Sequence, residues 1–231
     1  MRRYNIQPRE NWAKTVESQG FHFHSVDEEP YWDESVYYLF TAAQIDTLER
    51  ATYELDRMCL DAVQHVIDNN LFAQFQIPVA FEEWIKRSWD RDELTIYGRF
   101  DLAYDGTGEP KLLEYNADTP TALLEAAVIQ WYWMKDVYPN LDQFNSIHEH
   151  LIEAWKLAAT DPRSGGEMVF ACLSGHVEDY MTTQYLRDTA MQAGLKTSYI
   201  EVERIGWNAD RRQFVDEAEK AIRACFKLYP W

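Results

Sequence analysis

The chain has 231 residues, 46% hydrophobic and 15% aromatic, with a formal net charge of −17. That charge excludes nucleic acid as the default partner, because phosphate binding needs an excess of Lys and Arg, and the hydrophobic share excludes global disorder. No apolar run approaches the ~20 residues that span a bilayer.

The N-terminal stretch MRRYNIQPRENW turns polar after its first basic residues, so it does not read as a signal peptide. Three widely spaced cysteines without a CxxC pair, Cys59, Cys172 and Cys225, are expected as free thiols, two of them within buried strands. Together these features point to a cytoplasmic protein.

Residues 1–40 are irregular and aromatic-rich, with GFHFH as a possible short strand. Thr41 to Gln44 has the form of a capping box. Apolar residues at helical spacing behind it predict a long helix to about Asn69. AFEEWIKRSWD predicts a second, shorter helix. Two strands follow, joined by the turn DGTGE. TPTALLEAAVIQWYWMKDVYP then predicts a helix with Pro120 in its first turn and a core-packing QWYWMKDVY segment. FNSIHEHLIEAWKLAAT predicts a further helix.

From Glu167 the pattern changes. EMVFACL is a continuous apolar run, as in a strand covered on both faces. YMTTQYLRDTAMQAG predicts a helix ending at Gly194, and KTSYIEV a parallel strand, giving one βαβ unit. Ile222 to Leu228 alternates as a last strand. The expected fold class is mixed α/β, with helices and an antiparallel hairpin over residues 1–160 and a small α/β segment over 161–231. A chain that stops at an aromatic strand exit is expected to be cut from a longer protein.

The hairpin carries the chemistry. With a loop at Gly106 to Glu109, strand alternation sets Asp101 opposite Glu114 and Arg99 opposite Asn116, all on one face. Two opposed carboxylates repel. A hard divalent cation offsets that repulsion, and Asp, Glu and Asn oxygens suit magnesium better than zinc. Arg99 beside such an ion suits phosphate oxygens. The other reading is a solvated face with a surface salt bridge. His22 and His24 lack a third metal ligand at suitable spacing, and His148 and His150 read as solvated.

YGRFD, LLEYNAD with a Thr-rich step into a helix, YWDE and FKLYPW together resemble the synthetase domain of glutathionylspermidine synthases over essentially the whole chain. The resemblance implies an ATP-grasp ligase that phosphorylates a carboxylate with ATP and lets an amine attack the acyl phosphate. It implies magnesium on Asp101, Glu114 and Asn116, and Arg99 steadying the transferring phosphoryl group and contacting ATP. Thr119, Thr121 and Glu125 would bind a glutathione-like acid, and the adjacent acids Glu178 and Asp179 a polyamine-like amine.

A family cysteine is replaced by Ala122 and paired serines by threonines, which leaves the acid open. The family's ATP-gripping residues are expected beyond this chain, which alone is expected to be inactive. The rival readings are a non-catalytic polyamine- or peptide-binding module and a different magnesium-dependent phosphoryl-transfer enzyme.

Overall fold

The computed structural model describes residues 1–26 and 29–230. Trp231, the last residue of the FKLYPW motif, lies outside them. The chain forms two units interleaved in sequence. The first holds residues 1–2, 38–95 and 100–114. The second holds 3–37, 96–99 and 115–231.

In the first unit the long helix runs Ala42–Asp68, and the capping box is present in full: Thr41 Oγ1 accepts from the Gln44 N–H, and Gln44 Oε1 accepts from the Thr41 N–H. The same Gln44 amide donates to the Gly106 carbonyl at 2.8 Å, tying the helix start to the hairpin turn. Pro78, in extended conformation, precedes the helix Val79–Asp90, as Pro cannot supply a helical N–H. Trp89 Nε1 donates to Gln64 Oε1 at 2.6 Å between the two helices. The periodic apolar residues of Ala42–Asp68 do not form a core, and none is buried.

The hairpin strands are Arg99–Ala103 and Lys111–Asn116, paired as a two-stranded sheet. The first strand is shorter than its alternation suggests, because residues 93–98 are not extended into it.

The second unit is organised by a parallel sheet with Glu167–Cys172 at its centre, flanked by Lys196–Glu201 and Cys225–Leu228. Residues 168–172 are all buried, which explains the unbroken apolar run. Helix Val177–Gln192 connects the first two strands and ends at Gly194, whose φ of 93° is left-handed and favours glycine. Helix Ile147–Ala159 packs beside it. Trp155, 1% exposed, stacks edge-on to Phe170 and donates through Nε1 to Thr189 Oγ1 at 2.9 Å.

Several expectations need correction. The helix after the hairpin starts at Leu123, so Pro120 lies before it and not in its first turn. Ala122 has φ 61°, a left-handed conformation that stops the helix from extending backwards. The helix also widens into a π-turn over Glu125–Ile129. Asn145 Nδ2 satisfies the carbonyls of Ala126 and Ala127 there, each at 3.1 Å.

GFHFH is not a strand, and a short pairing occurs instead between Ser25–Val26 and Glu29–Pro30. Cys225 is exposed, because it lies on an edge strand. Tyr132 in the Trp-rich segment is 48% exposed. His148 is bonded to Tyr185 at 2.9 Å and to Gln192 at 3.3 Å, so it is not simply solvated.

Candidate active site

The second unit gathers most of the expected site residues around one loop. Tyr97 and Arg99 lead into the first hairpin strand, and both reach residues 120–121. The Tyr97 hydroxyl donates to the Pro120 carbonyl at 2.6 Å, and Arg99 Nη1 donates to the Thr121 carbonyl at 3.1 Å. The Thr121 hydroxyl lies 3.4 Å from the same guanidinium nitrogen. These bonds anchor the non-helical Thr119–Ala122 step that precedes the helix. Gly98 between them is required by close approach: a Cβ there would lie 2.9 Å from Tyr115 Cε2.

Glu125 follows on the π-turn and is 7% exposed. π-turns of this kind are frequent at functional sites, since they re-aim a side chain that a regular helix would turn away. The Tyr31 hydroxyl donates to Glu125 Oε1 at 3.1 Å. Burial pushes the Glu125 carboxyl up from its ordinary range. The charge of Glu178 pushes the same way, while the Tyr31 bond and the Arg99 charge oppose it. The Tyr31 phenol is pushed up by burial, then by the charges of Glu125 and Glu178.

Glu178 and Asp179 sit half-buried in the first turn of helix Val177–Gln192, at the carboxyl end of the central parallel strand. Open α/β sheets place ligands at such ends. Burial raises the Asp179 carboxyl, and the neighbouring Glu178 charge adds to it, while His176 opposes. Asp179 also acts on the Tyr97 phenol, which burial pushes up first. The electrostatic coupling therefore links Arg99, Glu125 and the adjacent pair Glu178 and Asp179, spread over 80 positions of sequence, through two tyrosines. Sequence reasoning missed both tyrosines as site residues, although each lies in a quoted motif, YWDE and YGRFD.

Glu34 of YWDE serves the scaffold. It is 3% exposed and takes Arg9 in a two-pronged pair, Nη2 to Oε1 at 2.5 Å and Nε to Oε2 at 3.0 Å. Trp32 Nε1 donates to the same carboxylate at 3.2 Å.

Of the expected metal ligands, Asp101 and Glu114 belong to the first unit, half-buried and exposed respectively. Asn116 belongs to the second, and its amide nitrogen is buried with no hydrogen-bond partner among the described residues. The amide's N and O exchange by a half-turn of the side chain, and that turn would bring its oxygen to the unpartnered position. Carboxylate and amide oxygens are the kind of hard donor that magnesium takes. No group of three or more His, Cys, Asp or Glu suited to a metal occurs among the described residues.

The family model described as glutathionylspermidine synthase preATP-grasp matches residues 3–231. A candidate acid–amine ligase of Haemophilus influenzae is 37% identical over 227 residues, covering 96% of this chain and 58% of that protein. The bifunctional glutathionylspermidine synthetase/amidase of Escherichia coli is 29% identical over 212 residues, covering 89% of this chain and 32% of the relative. A trypanothione synthetase of Crithidia fasciculata is 27% identical over 181 residues, 74% of this chain and 26% of that one. The chain thus spans well under two thirds of the length of these relatives. Among solved structures, the apo form of a glutathione synthetase-like effector from Globodera pallida matches with a TM-score of 0.58 at 13% identity, over 95% of this chain and 55% of that one. That likeness is one of fold.

Proposed function

The chain belongs to the glutathionylspermidine synthase preATP-grasp family, and from that premise we propose that it is part of a cytoplasmic, ATP- and magnesium-dependent acid–amine ligase. The observation that carries the reading is the gathering of Arg99, Thr121, Glu125, Glu178 and Asp179 in one unit, coupled through Tyr31 and Tyr97. One cation beside several partly buried acids suits a site that must take an anionic acid and a cationic amine together. A simple binding module for either one would need only one sign of charge.

On this reading Arg99 is held by the Thr121 carbonyl so that its guanidinium fork presents toward phosphoryl oxygens. Thr119, Thr121 and Glu125 orient the acid substrate, with Tyr31 fixing the Glu125 carboxyl. Glu178 and Asp179 attract the amine by charge-assisted hydrogen bonds. Asp101, Glu114 and Asn116 would hold magnesium, and the ion would neutralise phosphate charge. The terminal phosphoryl group of ATP passes to a carboxylate oxygen. The amine nitrogen then forms the C–N bond, the C–O bond to phosphate breaks, and the nitrogen loses its proton. Residues 161–231 supply the small pre-ATP-grasp α/β part.

The test is a screen of acids against amines, run on the full-length ligase of which this chain is proposed to be part, that detects ADP release and amide mass together. ADP that appears only when both partners are present supports the reading. Saturable amine or peptide binding with no ADP under any pairing would replace it with the binding module.

A further inference from the structure

Within the second unit, a cavity of about 470 Å³ opens between the helix over residues 123–137, the helix Ile147–Ala159 and the helix Val177–Gln192. It shares no lining residue with Arg99, Thr121, Glu125, Glu178 or Asp179. Its size is in the range of small-molecule sites.

The lining is divided by chemistry. Buried Leu124 and Ala127 and half-buried Val128 make an apolar floor, with the buried ring of Tyr185 as a wall. The exposed carboxylates of Glu149 and Asp188 stand among the lining residues, and no Lys or Arg does. Burial first, then the charges of Glu149 and Asp188, push the Tyr185 phenol up, so both carboxylates act on the cavity wall.

The polar donors nearby are committed to the chain itself. Gln192 Oε1 lies 3.3 Å from His148 Nε2, and the Tyr185 hydroxyl lies 2.9 Å from His148 Nδ1. Gln192 Nε2 donates to Asp188 Oδ2 at 2.8 Å. Asn145 Nδ2 is spent on the π-turn carbonyls. Gln19 adds a buried Oε1 with no hydrogen-bond partner among the described residues.

The field inside is therefore negative, with uncompensated acceptors and aromatic faces. An anion would meet two carboxylates. A hard metal ion would want more oxygen ligands than these and no apolar floor. Trp131, another lining ring, has the Lys135 ammonium 4.5 Å over its centroid, and aromatic faces attract ammonium ions in general.

We propose that this cavity is a second ligand site, which takes a small organic ammonium ion with its apolar body against the floor and its charge between Glu149 and Asp188. The site does not depend on the ligase reading and lies apart from the acids of the active site.

Calorimetry of the full chain at low salt, with 2-phenylethylammonium as probe and 2-phenylethanol as its neutral counterpart, tests this. Saturable binding of the ammonium is expected, about tenfold tighter than the alcohol. Glu149→Gln with Asp188→Asn should weaken it by about tenfold, and Asp210→Asn, which removes an exposed charge that does not line the cavity, should leave it unchanged. Val128→Trp, which fills the cavity with the carboxylates intact, should abolish it in a protein whose circular dichroism matches the wild type. Absence of saturable binding, equal binding of the alcohol, or loss in Asp210→Asn with no change in the Glu149/Asp188 variant would overturn the proposal.

Discussion

Glu125→Gln should stabilise the protein at neutral pH while it removes activity. The carboxyl is 7% exposed, receives one side-chain hydrogen bond, from Tyr31, and feels the like charge of Glu178. Because its folded-state pKa is raised, the folded state holds the proton more tightly than the unfolded chain does. The stability from this group is full below the unfolded carboxyl range and is lost as pH rises through the folded value. At neutral pH the ionised form is thus a cost.

The isosteric amide removes that charge and keeps an acceptor for the Tyr31 hydroxyl. A buried charge costs several kcal/mol in isolation, and a hydrogen bond to a charged group returns about 1.5–3 kcal/mol. The net gain expected from the substitution is therefore about 1 kcal/mol at pH 7.5, shrinking toward zero near pH 4. Urea denaturation of wild type and variant at the two pH values measures it. A variant less stable than wild type at pH 7.5, or a difference independent of pH, would refute the reasoning.

Arg9→Met should cost about 3–5 kcal/mol, because it strands the buried Glu34 carboxylate, and adding Glu34→Gln should restore much of the loss in the same denaturation assay. Gly98→Ala should cost about 1–3 kcal/mol through the clash with Tyr115, read as a lower urea midpoint. Glu178→Gln with Asp179→Asn should raise the KM for the amine far more than that for ATP, and the difference should shrink as ionic strength rises. Equal amine KM values at low salt would remove that role.

How much of this was legible in the sequence depended on the range of the interaction. The Thr41–Gln44 capping box, the hairpin and the buried strand Glu167–Cys172 are written in residues a few positions apart, and all three stand in the structure. The start of the helix after Asn116 is not local. TPTALLEAA has the composition of a helix entrance, yet Tyr97 and Arg99 bond the carbonyls of residues 120 and 121, and the segment stays non-helical up to the left-handed Ala122.

The Tyr31–Glu125 pair, 94 positions apart, has no periodic signature at all. The helix Ala42–Asp68 shows the opposite failure. Its apolar spacing was legible, but spacing cannot say whether anything covers it, and no residue of it is buried. The acidic pair Glu178 and Asp179 was legible from its place after a buried strand. Its coupling to Glu125 and Tyr97 required the fold.

The most direct test of the central claim is isotope transfer. The acid found in the ADP-release screen is prepared with oxygen-18 in its carboxylate and turned over with ATP, magnesium and the amine. If the carboxylate is phosphorylated before the amine attacks, one labelled oxygen should appear in inorganic phosphate for each amide formed. The label should vanish with the activity in Arg99→Met. Amide formed with unlabelled phosphate, or with AMP as the nucleotide product, would contradict the account.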